Sequence, residues 1–293
     1  MKNLVLEGCG TALVTPFRNG EVDYEAYAAL VRRQVESGVD FLVPIATTAE
    51  TPALSQEEKA ELLRITFENC GGKPVMPGVG VNCVRDTLNN IKLVEGYDVA
   101  ALLVVVPYYN KPTQQGQYEY FKAVAESTCK PVIIYNVPGR TGANMLPDTV
   151  IRLATEVPGI RGIKEASGNY SQVSEIIRRA PEGFTVLSGD DDMTFAFMAT
   201  GAHGVISVAS NIAPAQVSAM VHAVSSGNYA GARSLHHGLS PLFKACFAES
   251  NPIPAKAALS LLGLCSAEMR LPLAPASEAT CELMKKVLGG LPE

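Results

Sequence analysis

Short β-branched and apolar runs alternate with stretches of helical period from residue 11 to about residue 225, and this alternation limits the fold more than any other feature. The runs are 11–14, 41–45, 75–78, 101–106, 132–135, 160–164, 185–187 and 204–208. The helical stretches between them begin near Tyr24, Gln56, Val84, Gln114, Pro147, Ser171, Asp192 and Ala213. Ser55-Gln56-Glu57-Glu58 has the form of a capping box, with Ser55 as cap and Glu58 three residues on. Pro147 suits a first helical turn. Repeated strand–helix units predict an α/β protein with a parallel sheet, either a closed (β/α)₈ TIM barrel or an open doubly wound sheet. Alternation alone does not separate the two. No GxGxxG opens the helix after the first strand, which removes the usual dinucleotide-binding variant. After Gly227 the strand signals stop, and 229–249, 254–262 and 278–288 have helical period. The predicted division is a barrel over 1–227 and a C-terminal helical domain over 228–293.

The size agrees: 293 residues suit one barrel with a small appendage. With 47% hydrophobic and 18% charged residues, the composition is that of a folded chain with a large core. A net charge of −5 and a pI near 5.5 argue against a nucleic-acid binder, which needs a basic face. The seven cysteines are widely spaced and form no CxxC, so neither a zinc ribbon nor a disulfide scaffold is indicated. Met1-Lys2-Asn3-Leu4 does not begin an apolar leader, and no apolar run is long enough for a bilayer. A cytoplasmic protein with free thiols and no membrane contact is expected.

In a parallel barrel, chemistry collects where strands end. The second run ends in Ala46-Thr47-Thr48-Ala49-Glu50, the fourth in Pro107-Tyr108-Tyr109-Asn110, and the fifth in Tyr135 with a loop through Arg140. The sixth ends in Gly162-Ile163-Lys164-Glu165-Ala166, the seventh in Ser188-Gly189-Asp190-Asp191-Asp192. Lys164 closes an apolar strand. Such a lysine either snorkels to solvent or projects into a desolvated mouth, where the ammonium is disfavoured and the neutral amine can attack a ketone. Tyr135 is either a rim tyrosine or a proton shuttle beside it. Arg140, in a Pro-Gly-Arg-Thr-Gly loop, is either solvated or held to take a carboxylate in bidentate fashion. Thr47 and Thr48 are plain strand-end threonines or donors to a second carboxylate. The Asp190–Asp192 run suggests helix-start charges more than a metal site. His236 and His237 are adjacent and cannot share a helix face as ligands spaced i,i+4 would. No metal and no cofactor is expected.

Tyr135-Asn136-Val137-Pro138 and Gly162-Ile163-Lys164-Glu165-Ala166, in that order, resemble the dihydrodipicolinate synthase and N-acetylneuraminate lyase superfamily. The likeness runs from Thr11-Ala12-Leu13-Val14-Thr15-Pro16-Phe17 to the C-terminal helices, with a weaker match at Gly204-Val205-Ile206-Ser207. The resemblance implies a closed barrel and a class I aldolase mechanism, in which Lys164 condenses with the ketone of pyruvate. It further implies a proton relay of Tyr135, Thr47 and Tyr109, with Tyr109 reaching in from a neighbouring subunit of a homotetramer. Thr48 would hold the pyruvate carboxylate, with Gly189 and Ile206 also in the substrate site. Arg140 and Asn251-Pro252-Ile253-Pro254 resemble the subgroup that condenses pyruvate with aspartate semialdehyde in lysine biosynthesis. Sugar-acid and sialic-acid lyases are the alternative, and a non-catalytic binding protein is a second. The chain departs from the family's Gly-Thr-Thr-Gly-Glu at Ala46 and Ala49, and the methyl of Ala49 would crowd the pyruvate carboxylate or strain the loop. Gln56, Lys59, Asn82, Asp86 and Tyr108 match the positions of an allosteric lysine pocket. Gln56 and Lys59 lie three apart on one helix face. The Lys59 ammonium would repel bound lysine, offset in part if Asp86 pairs with it, so weak or no inhibition by lysine is expected.

Overall fold

Parallel strands covered by helices are buried on both faces, so their side chains divide between two apolar environments according to parity. The computed structural model describes residues 6–291 and shows this division throughout. Met1-Lys2-Asn3-Leu4 and the extreme ends of the two expected domains lie outside the described residues. The strands are β1 (Gly8–Ala12), a small hairpin of β2 (Phe17–Arg18) and β3 (Glu21–Val22), β4 (Phe41–Val43), β5 (Leu102–Val105), β6 (Val132–Asn136), β7 (Ile160–Glu165), β8 (Thr185–Ser188) and β9 (Gly204–Ser207). Leu103, Ile133, Leu187 and Ile206 point into one cluster inside the sheet. Their neighbours Leu102, Ile134, Val186 and Val205 point into a larger cluster beneath the helices.

Seven of these strands pair in the order β4-β1-β9-β8-β7-β6-β5, all parallel. The expected strand at 75–78 closes the ring. Val75 bridges Leu42 on β4, and Gly78 bridges Leu103 on β5. Met76 donates to the Leu42 carbonyl at 2.8 Å, and Leu103 donates to the Pro77 carbonyl at 2.9 Å. Pro74 and Pro77 have no N–H, so this stave pairs through two isolated bridges rather than a full ladder. The α/β expectation therefore resolves as a barrel.

The helices are α1 (Tyr24–Glu36), α2 (Gln56–Asn69), α3 (Val84–Lys92), α4 (Gln114–Glu126), the short α5 (Pro138–Thr141), α6 (Pro147–Glu156), α7 (Tyr170–Arg179), α8 (Thr194–Ala199) and α9 (Pro214–Ser225). Five of the helix starts named above, from Tyr24 to Pro147, are observed at those residues. The capping box forms as its chemistry requires: Ser55 Oγ accepts from Glu58 N at 3.1 Å, and the Glu58 carboxylate accepts from Ser55 N at 2.8 Å. After Gly227 the described residues form helices and no strand: α10 (Tyr229–Ala245), α11 (Ile253–Leu261) and α12 (Glu278–Leu288). Among the described residues no helix is long and apolar enough to cross a membrane.

One expectation needs correction. The first strand runs over Gly8–Ala12 rather than 11–14. Gly8 and Gly10 carry no β-forming side chain, yet both are needed for close approach: a Cβ on Gly10 would lie 2.0 Å from the Phe41 ring. The acidic run does start a helical turn, as expected: Asp190 is at the cap position of the 3₁₀ turn Asp191–Met193 and Asp191 and Asp192 lie in its first turn, although no side chain makes the cap bond. The cap of α8 is Met193, and Asp191 is buried, accepting from Val208 N and Ala209 N at 3.0 Å each. Asp191 thus ties the end of β9 to the end of β8.

Candidate active site

The register of two neighbouring strands builds the centre of the site. Tyr135 on β6 lies opposite Lys164 on β7. Ile134 and Ile163 face the helices, so by parity Tyr135 and Lys164 both face inward. Lys164 is only 4% exposed, and its Nζ lies 4.1 Å from the centre of the Tyr135 ring. Gly189, at the end of β8, leaves room for the lysine: a Cβ there would meet Ala166 Cβ at 2.6 Å and Lys164 Cε at 3.1 Å. The next residues on the two strands, Asn136 and Glu165, face outward and bond each other, Asn136 Nδ2 donating to both Glu165 oxygens at 3.2 and 3.1 Å. Ser167 N and Gln172 Nε2 also donate to Glu165, at 2.8 and 3.2 Å. Burial pushes the Glu165 carboxyl up, and these donors oppose the rise. This network locks the strand pair behind Lys164. An acid and an amide ending adjacent strands were its only sequence signal.

Thr47 and Thr48 lie in a 3₁₀ turn, Thr47–Ala49. The alanines do not strain it. Ala46 is extended (φ −95°, ψ −167°), and positive φ falls instead on Ile45 (46°) and Glu50 (55°). The expectation of loop strain from Ala49 is therefore corrected, since Ala49 has no positive φ, and Ala46 lines the chamber. Thr48 Oγ1 accepts from Asn251 Nδ2 at 3.0 Å, and Arg140 Nη2 donates to the Asn251 carbonyl at 3.2 Å. One residue from the C-terminal helical segment thereby holds both candidate carboxylate-binding groups.

A chamber of about 50 Å³ brings Lys164, Tyr135, Thr47, Thr48, Arg140 and Gly189 together. Asp190 also lines it, its carboxyl pushed up to about 6 by burial and by the charges of Asp192 and Asp191. A larger cavity of about 400 Å³ shares Thr47, Tyr135 and Arg140 and extends to Lys59 and Tyr108. Ile206 sits deeper, 1% exposed within the barrel interior, and does not line either cavity. Tyr109 does not enter its own chain's chamber. It is 88% exposed, on a backbone at φ 73°.

The outer positions are less connected. Gln56 Nε2 donates to Asn90 Oδ1 at 3.3 Å, and the Asn82 carbonyl accepts from Asn110 Nδ2 at 2.8 Å. Asp86 does not pair with Lys59. Its carboxylate takes Arg85 Nε at 2.8 Å and Cys83 Sγ at 3.2 Å, both nearer in the chain. His236 stacks on Phe195 at 5.7 Å between ring centres, which fits a packing role.

Known proteins carry the same architecture. The Dihydrodipicolinate synthetase family model matches residues 5–289. The 4-hydroxy-tetrahydrodipicolinate synthase of Thermotoga neapolitana is 48% identical over 288 residues, 97% of this chain and 98% of that protein. The crystal structure of dihydrodipicolinate synthase from Thermotoga maritima superposes with a TM-score of 0.95 at 45% identity, covering 97% of this chain and 98% of the other. A structure described as the first monomeric dihydrodipicolinate synthase variant superposes with a TM-score of 0.96 at 44% identity, covering 98% and 97%. On this evidence the chain belongs to the dihydrodipicolinate synthetase family.

Proposed function

We propose that Lys164 is the nucleophile of an enzyme that condenses pyruvate with aspartate semialdehyde to 4-hydroxy-tetrahydrodipicolinate, in lysine biosynthesis. The observation that carries this is the inward pairing of Tyr135 with Lys164 in a chamber that Thr47, Thr48 and Arg140 also line. The lysine amine adds to the keto carbon of pyruvate, and loss of water gives the imine. The protonated imine draws electrons from the methyl group, which loses a proton to form the enamine. The enamine carbon bonds to the aldehyde carbon, whose oxygen takes a proton. The amino group of the aspartate semialdehyde portion then displaces Lys164 from the keto carbon and closes the ring. Tyr135 and Thr47 stand where these protons must move. Thr48 holds the pyruvate carboxylate, Arg140 holds that of the semialdehyde, and Gly189 lines the chamber beside Lys164, with Ile206 packed in the barrel interior without contact to either cavity. The free cysteines fit a reducing compartment such as the cytoplasm. The same reading divides the chain at 227/228, with the barrel before and a helical domain after.

The test is a coupled assay with pyruvate and aspartate semialdehyde, run beside sugar-acid and sialic-acid cleavage. Arg140→Ala should raise KM for aspartate semialdehyde on the order of a hundredfold. Faster cleavage of a sugar acid than condensation with the semialdehyde would assign the chain to the other branch.

Tyr109 supports a homotetramer built from tight dimers. An exposed tyrosine on a left-handed backbone next to the site suits a group donated to a second copy, and closed symmetry returns the partner's equivalent group. Tyr109→Phe should lower turnover roughly a hundredfold while leaving the assembly intact in sedimentation. A fully active monomer at assay concentration would contradict this role.

Lys59 supports weak feedback. It is half-buried in the wall of the larger cavity, and Asp86 is engaged with Arg85. A bound lysine would bring like charge to Lys59 in a partly desolvated place, at a cost of several kcal/mol. Initial rates at near-KM pyruvate should fall little with added L-lysine. Strong partial inhibition at micromolar lysine would show that the pocket works despite Lys59.

A further inference from the structure

The turn that carries Thr47 and Thr48 ends on Glu50, which takes no part in the chemistry above. Glu50 stands between the 3₁₀ turns Thr47–Ala49 and Thr51–Ala53 in the left-handed region, at φ 55° and ψ 36°. A residue other than glycine stays there only when its surroundings over-determine it. Its N–H donates to the Thr47 carbonyl at 3.1 Å and so closes the turn. Its carboxylate is buried and takes two partners from the C-terminal segment. Lys256 Nζ donates to one oxygen at 2.8 Å, and Arg270 N donates to the other at 3.2 Å. Lys256 lies on α11 and is wholly buried, its Nζ 4.2 Å from the centre of the Phe17 ring. Among the described residues no other ion pair has both side chains so fully buried. Burial pulls the Lys256 ammonium downward, and the Glu50 charge opposes this.

A buried ion pair adds little net stability over apolar residues of the same volume, because desolvation offsets the attraction. What it does impose is geometry, since each charge must meet the other at one distance and direction. Here that geometry links α11 to the turn whose other end is held by Asn251 through Thr48. We infer that Glu50 and Lys256 are a positioning pair that sets the shape of the Thr47–Thr48 turn, so that the C-terminal helical segment determines affinity for the keto acid. Neither residue touches the reacting atoms. This rests on the assignment of that turn to the pyruvate carboxylate.

Two variants test the pair. Glu50→Gln with Lys256→Met removes both charges together and avoids leaving either one buried alone. Glu50→Asp keeps both charges and shortens the arm by one methylene. The readouts are KM for each substrate, turnover, melting temperature, and borohydride trapping of pyruvate on Lys164. Both variants should raise KM for pyruvate about tenfold. KM for aspartate semialdehyde should change by less than about threefold, and any fall in turnover, which Thr47 on the same turn would cause, should stay smaller than the rise in KM for pyruvate, with trapping complete at saturating pyruvate. A parent-like KM for pyruvate in the folded double variant overturns the inference. So does a fall in turnover at unchanged KM. If the double variant does not fold, Glu50→Asp decides by the same criterion. Failure of the parent enzyme to trap pyruvate on Lys164 would instead overturn the assignment of the site.

Discussion

Lys164→Ala should lower turnover by at least about a thousandfold and abolish the pyruvate adduct trapped by borohydride. Alanine offers no amine, and among the described residues no second lysine lines the small chamber. Lys59 lies in the wall of the larger cavity, outside the pairing with Tyr135. Lys256 is buried against Glu50 and Phe17, where a keto acid has no access. The parent peptide containing Lys164 should gain the mass of a reduced pyruvyl group, and the variant protein should gain none anywhere. The loss should not be one of folding. Lys164 is desolvated, its Nζ lies over the Tyr135 ring, and among the described residues it forms no ion pair, its charge acting only at longer range on Asp190 and Asp191. The melting temperature should stay near that of the parent or rise, as it often does when a functional group held against its own solvation is removed. Retained turnover, or an adduct on a different lysine, would refute the assignment.

Gly204→Ala should be the most damaging of the small substitutions, costing about 3 kcal/mol or more. The added Cβ would lie 2.0 Å from the Gly8 carbonyl oxygen and 2.6 Å from Gly8 N. Both are backbone atoms of the neighbouring strand, so no rotamer change relieves the clash. β1 and β9 must separate where Gly8 pairs with Gly204, and the pairing continues to Thr11 and Ser207. Separation there opens the barrel at the start of β9, the end away from the Val208 and Ala209 amides that Asp191 holds. The expected fall in melting temperature is on the order of 10 °C for a chain of this size. Gly96→Ala is the matched control, because a Cβ there meets nothing within 4 Å and its backbone needs no positive φ. Calorimetry on the pair decides: equal melting temperatures would show that the two strands can part without cost.

Much of the fold and part of the site are legible in the sequence alone, and the reason is range. Helix starts at Ser55-Gln56 or Pro147 depend on hydrogen bonds and dihedrals within one turn, so neighbouring residues suffice to specify them. Strand and helix periods arise from contacts two to four residues apart, and they located even the stave at 75–78. Lys164 was visible as a lysine ending an apolar strand, but its being inward depended on parity, and its meeting Tyr135 depended on the register of β6 with β7. Closure of the barrel was likewise decided in three dimensions, because prolines at 74 and 77 leave the closing stave with sparse pairing. The start of β1 was hidden because Gly8 and Gly10 earn their places only by letting other strands come near. Glu50 and Lys256 left no local trace at all. They are 206 residues apart, and each looks like an ordinary surface charge until burial removes water from both. Short-range periodicity and capping chemistry were the sequence's own to determine; the partner of a buried charge was settled only when the chain folded, since desolvation depends on everything packed around it.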